Sequence, residues 1–300
     1  MLPLFPDNSR VVFIGDSITA ENLVLPRIIH AYKCVVKAKN IRFFNCGVAG
    51  GTAEFAVTSF EKDIKRYNPT HAVISFGIND SYRDFLREER SAERLEKLIA
   101  AYNVYKKKMS ELVDLLLGLD VEVTLCTPVP YDEYSESDTP ALRGGYALML
   151  GYSEFVRNLA KEKGVRLYDQ HETLSRVMSA ESIISSDRIH PTKHGYFVLA
   201  REFLKAQGIE LGDHTEIPEC FSEWHSYVAR LRKVIASECM IVNNFSAPTE
   251  EKMNRMRAKI EKEDWGQPVF ESFIRAYVAD KPYEAELYNK IDELYESKII

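Results

Sequence analysis

The chain has 300 residues, of which 45% are hydrophobic and 28% charged, and a formal net charge of −6. That balance predicts a folded globular protein with a substantial core rather than a disordered chain, and the acidic excess offers no basic face for nucleic acid. No segment reaches membrane-spanning length, the opening "MLPLFPDNSR" does not resemble a secretory signal, and the odd set of five cysteines (Cys34, Cys46, Cys126, Cys220, Cys239) reads as reduced thiols of a cytoplasmic protein.

Short apolar runs alternate with longer segments of helical period, the pattern of a parallel sheet covered by helices. Strands are expected at "RVVFIG" (10–15), "IRFFNC" (41–46), "HAVISFG" (71–77), "VEVTLC" (121–126) and "VRLYD" (165–169). Helices are expected near 19–38, 52–66, 91–118, 141–163 and 191–207. In the third of these, Leu95, Leu98, Ile99, Tyr102 and Tyr105 recur at helical spacing, so that face is expected to lie on the sheet. These units fill residues 1–210. Beyond 211 no β-like run appears, and two apolar stripes of helical period, Trp224 to Ile235 and Leu287 to Tyr295, predict a helical extension. It can pack on the α/β domain, on itself or on a second subunit, which leaves a homo-oligomer open.

Polar residues gather just after the strand ends: Ser17 after the first, Gly50 after the second, Asn79 after the third. In open α/β sheets ligands bind outside the carboxyl ends of the strands, so separate segments converge on one place. Alone, "GDSIT" (15–19) is ambiguous, because Ser17 or Thr19 can cap the next helix as readily as serve in chemistry. Alone, "GIND" (77–80) reads as a turn.

Taken with "NCGVAGGT" (45–52) and "DRIHPTKHGY" (187–196), these segments, in this order, resemble the SGNH hydrolases, also called GDSL-like lipases and esterases. The resemblance spans roughly residues 10–207. It implies a flavodoxin-like three-layer αβα sandwich with a five-stranded parallel sheet. It also implies Ser17 as nucleophile, Asp187 and His190 as acid and base, and Gly50, Asn79 and the Ser17 N–H as the oxyanion hole, with no metal and no cofactor.

The residue types suit that chemistry. A serine hydroxyl needs a base within hydrogen-bond reach, and the base needs a third group to fix its tautomer. Asp187 and His190, three apart, can meet in a tight turn, and Pro191 keeps His190 out of helical angles at the entrance of the next helix. Glycine at position 50 leaves room for substrate against the backbone. His190 and His194, four apart, can also share a helix face as a metal pair with Asp187, but the usual companion ligands are missing. "NCGVAGG" lacks the spacing of a dinucleotide loop.

The longest stretch without period, residues 127–146, contains Tyr131, Tyr134 and Arg143, which can line a substrate pocket or belong to a plain surface loop. The expected function is a serine-dependent carboxylic ester hydrolase acting on small, acetyl-type esters, including those of carbohydrates. A lysophospholipase or acyl-thioesterase is the alternative, and a non-catalytic binding protein on the same fold is a second.

Overall fold

Strands that are buried on both faces read as continuous apolar runs, and four such runs with a short, half-buried edge strand form the centre of this protein. The computed structural model describes residues 1–212, Glu216, and the backbone pairing of Met240–Ile241 with Asn244–Phe245. The stripes read as a helical extension lie outside the described residues.

The chain runs β1 (Arg10–Gly15), α1 (Ser17–Ala20), α2 (Leu25–Ala31), β2 (Arg42–Gly47), α3 (Ala53–Thr58), α4 (Phe60–Asp63), β3 (His71–Ser75), α5 (Ala92–Leu117), β4 (Glu122–Cys126), α6 (Gly145–Lys163), β5 (Arg166–Tyr168), α7 (Gln170–Met178) and α8 (Lys193–Ala206). The strands form one parallel sheet in the order β2-β1-β3-β4-β5. Helices cover both sides: α2, α7 and α8 neighbour one another, as do α3, α5 and α6. This is the flavodoxin-like order, in which the switch in connection direction falls between β1 and β3. The segments leaving the carboxyl ends of those two strands carry Ser17 and Asn79.

Several expected boundaries shift. The single helix expected over 19–38 is divided, because Asn22 takes a left-handed φ of 56° and the chain restarts as α2 with Pro26 in its first turn, ending in a π turn at Tyr32–Val36. The helix α7 was not anticipated. In α5 the apolar stripe is placed differently: Leu95 and Ile99 are exposed, and the core face is Ala101, Tyr105, Met109, Leu112, Val113 and Leu116. The reason is length. A helix of 26 residues extends about 39 Å, roughly twice the run of a five-residue strand, so its first turns project past the sheet they were expected to cover.

No helix among the described residues is long and apolar enough to cross a membrane.

Candidate active site

The site is built where β1 gives way to α1. Asp16, not Ser17 or Thr19, caps that helix: its carboxylate accepts from Ile18 N at 3.0 Å, with an extended backbone at the cap position. Ser17 therefore opens the helix as its first residue. Its own N–H belongs to the group that has no intrahelical acceptor, and its side chain is free of capping duty. The short α1 lies tight against the strand ends, which explains one glycine: a Cβ on Gly47 would collide with the backbone at Ala20 N. Asn45 locks the arrangement from beneath, its amide donating to Thr19 O (2.9 Å) and Asn22 Oδ1 (2.8 Å) while its carbonyl accepts from Gly47 N (2.8 Å).

Ser17 Oγ faces His190 Nε2 at 2.7 Å, and His190 Nδ1 faces Asp187 Oδ2 at 2.6 Å. With Nδ1–H donating to the carboxylate, Nε2 is left to accept the serine proton; the tautomer follows from the partners. Asp187 Oδ1 accepts from Ser185 Oγ (2.7 Å), Ile189 N (2.9 Å) and His190 N (2.9 Å). Partial burial alone would raise this carboxyl, but the bonds from His190, Ile189 and Ser185 outweigh it and hold Asp187 well below the usual carboxylate range. The turn is closed by Ser185 N donating to His190 O (2.8 Å) and by an antiparallel bridge between Ile184 and Pro191. Pro191 thus lies in that bridge rather than in the first turn of α8, whose cap is Thr192.

Gly50 has φ 74°, a left-handed conformation that favours glycine, in the loop after β2. Asn79 Nδ2 donates to Gly51 O at 3.1 Å, and Asp80 Oδ1 accepts from Ala53 N, the first residue of α3, at 2.8 Å. The loops after β2 and β3 are thereby clamped to each other. The second amide hydrogen of Asn79 remains available. Two tyrosines support the clamp: Tyr105 OH donates to Phe76 O (3.1 Å) and Tyr152 OH to Asp80 O (3.4 Å).

Asp16 and Asp80 are both buried and electrostatically close. Burial raises Asp16 to about 6, and burial with the nearby Asp16 charge raises Asp80 to about 7. Asp80 Oδ2 has no hydrogen-bond partner among the described residues.

The residues expected to line substrate are spread out. Tyr131 is buried, its hydroxyl accepting from Leu142 N at 3.0 Å and its ring set against Gly145, so it is a strut of its own loop. Tyr134 is 79% exposed with the Tyr146 ring 5.8 Å away, and Arg143 is exposed. His194 turns to Glu181 Oε2 at 2.7 Å, while His190 turns to Asp187 and Ser17. The two imidazoles therefore serve different partners. Asn45 and the Asp80 clamp escaped the sequence reading, because their contacts join segments 20 or more residues apart; only the adjacency of Asp80 to Asn79 hinted at a role.

A hydroxyl in contact with an imidazole and an anchored carboxylate behind that ring form an arrangement able to carry out acyl transfer. The sequence profile of the GDSL-like Lipase/Acylhydrolase family matches residues 13–197. An acetylxylan esterase of Geobacillus stearothermophilus is 26% identical over 222 residues, which cover 67% of this chain and 94% of that protein. Among solved structures, a gut microbial diltiazem-metabolizing enzyme superposes with a TM-score of 0.62 at 27% identity, over 69% of this chain and 48% of that one. The chain thus spans about half the length of that enzyme. The crystal structure of Axe2, an acetylxylan esterase from Geobacillus stearothermophilus, superposes with a TM-score of 0.56 at 24% identity, over 68% of this chain and 96% of that one.

Proposed function

Because the chain belongs to the GDSL-like Lipase/Acylhydrolase family and is an esterase of that kind, we propose that it hydrolyses acetyl-type esters of carbohydrates through an acyl-enzyme on Ser17. The observation that carries this reading is the unbroken contact from Ser17 Oγ through His190 to Asp187, at 2.7 and 2.6 Å.

In this mechanism His190 Nε2 takes the hydroxyl proton as Ser17 Oγ bonds to the ester carbonyl carbon. The negative charge that develops on the carbonyl oxygen is met by the N–H groups of Ser17 and Gly50 and the amide of Asn79; one such donor is worth about 2.7–4 kcal/mol. Collapse breaks the bond to the alcohol oxygen, which leaves with the proton from His190. Water then gives a proton to His190 and the resulting hydroxide oxygen attacks the acetyl-serine; the bond to Ser17 Oγ breaks as that oxygen takes the proton back from His190, releasing acetic acid, which ionises in solution. Asp187 keeps the ring oriented and stabilises the imidazolium in each half.

The acetyl preference is supported by kinship. The related acetylxylan esterase acts, by its name, on an acetylated carbohydrate. Tyr134 and Arg143, both exposed, are the candidates to touch the alcohol part. Cys34 and Cys126 are free thiols, which supports a cytoplasmic setting.

Rates on p-nitrophenyl esters of increasing acyl length test the reading. Fastest turnover on acetate is expected. A preference for octanoate or longer would favour a lysophospholipase or thioesterase, and no turnover on any ester by folded protein would favour a binding protein.

A further inference from the structure

Arg188 stands inside the turn that carries Asp187 and His190, and two features of it are costly. Its backbone is left-handed, with φ 69°, which a non-glycine residue adopts uncommonly. Its side chain is buried, 5% exposed, although arginine is among the residues least often taken fully from water. A glycine would avoid both costs, so the compensation must come from what the side chain touches.

Among the described residues, its hydrogen bonds run to the backbone of the loop after β4. Arg188 Nε donates to Thr139 O at 2.6 Å, and Nη1 donates to Asp132 O and Ser135 O, each at 3.0 Å. The rigid planar fork suits such a set of fixed acceptors. The loop answers in kind: Asp132 N donates to Arg188 O at 3.1 Å, and Ser137 Oγ donates to Ser186 O at 2.8 Å. The turn needs outside support, because its two reactive side chains are themselves poorly packed, with Asp187 49% and His190 38% exposed.

We propose that Arg188 is a positioning residue, which uses the 132–139 loop as a brace to hold the 187–190 turn where Asp187 meets His190 and His190 reaches Ser17. This rests on the reading of Ser17 and His190 as the reacting pair. It also assigns the long loop a role distinct from lining the substrate. A displacement of about 1 Å in a catalytic group can cost on the order of 10²-fold in rate, so a brace on an exposed turn has a large effect to exert.

The test compares wild type with Arg188→Gly, Arg188→Lys and Ser137→Ala on p-nitrophenyl acetate, together with the low-field proton resonance of His190 Nδ1–H, which reads the contact with Asp187 without turnover. Arg188→Gly removes the brace while relieving the backbone. It is expected to lower kcat roughly ten- to a hundredfold with KM nearly unchanged, and to broaden or abolish the low-field resonance. Arg188→Lys keeps the charge but not the fork and should fall between. Wild-type kcat and a wild-type resonance in Arg188→Gly would overturn the proposal, whatever its melting temperature. Should that variant not fold, Ser137→Ala decides from the loop side, at a half-buried position: a drop in kcat of roughly two- to fivefold with a broadened resonance supports the brace, and no change in either refutes it. If wild type lacks esterase turnover the functional reading fails, and the resonance still reports on the brace.

Discussion

Asp16 and Ser17, neighbours in sequence, face different partners: the Asp16 carboxylate caps α1 through Ile18 N at 3.0 Å, and the Ser17 hydroxyl meets His190 Nε2 at 2.7 Å. The division matters because a serine at the cap position would turn its oxygen to the helix amides. With the acid one residue earlier, the hydroxyl sits at the mouth of the helix and stays free for His190. Asp16→Ala should therefore destabilise the fold by about 0.5–2 kcal/mol, and Asp16→Asn, which keeps an acceptor, should not. Equal melting temperatures for the two variants would dismiss the cap.

The paired buried acids give stability a pH dependence of known sign. Asp16 and Asp80 are raised to about 6 and about 7 by burial, whereas aspartate in an unfolded chain titrates near ~3.9. Between about pH 4 and 7 the folded protein holds the extra protons, so the stability they contribute is full below that window and lost as pH rises through it. His71 and His171, both lowered by burial, act in the opposite direction over part of the range. Asp187, held low, contributes stability that is lost only below about pH 4. Comparing wild type with Asp80→Asn isolates the carboxyl: urea unfolding at a series of pH values should show slopes differing by up to about 1.4 kcal/mol per pH unit. Parallel slopes would contradict the assignment.

Asn79 is, in the proposed mechanism, the oxyanion donor that can be removed by substitution. Asn79→Ala should lower kcat about 10²–10³-fold with a modest effect on KM, the pattern of an interaction that strengthens in the transition state. Steady-state kinetics on p-nitrophenyl acetate check this, and a loss smaller than threefold would remove Asn79 from the oxyanion hole. Because its amide also bonds Gly51 O at 3.1 Å, Asn79→Asp, which keeps the shape but not the donor, should be as slow.

A histidine base accepts a proton only while neutral, so kcat/KM should fall on the acid side and level off above it. Asp187→Asn should lower the plateau by orders of magnitude, since Nδ1 loses the acceptor that fixes the tautomer. A pH-independent rate across the acid range would exclude His190 from proton transfer.

Much of this architecture was legible in the sequence, for identifiable physical reasons. Runs such as "RVVFI" and "HAVIS" are buried on both sheet faces, so they stand out without any alternation of polarity. Their exact ends did not: the third strand stops at Ser75 rather than Gly77, because Phe76 and Ile78 are buried in the loop rather than paired in the sheet. Ser17, Gly50, Asn79, Asp187 and His190 lie in short motifs and could be read locally. Asn45, Asp80 and Arg188 could not, because each acts through contacts with segments 20 to 60 residues away that leave no local pattern. The apolar residues Leu95 and Ile99 misled, since period reveals a helix face but not how far the sheet beneath it extends.

The most direct measurement is covalent labelling by a fluorophosphonate, with peptide mass spectrometry of wild type and Ser17→Ala. One label per chain is expected on Ser17 in wild type, none in Ser17→Ala, and a fall in ester turnover of roughly 10⁴-fold or more in that variant, with the fold intact. Labelling at another residue, or near-normal turnover by folded Ser17→Ala, would contradict an acyl-enzyme on Ser17.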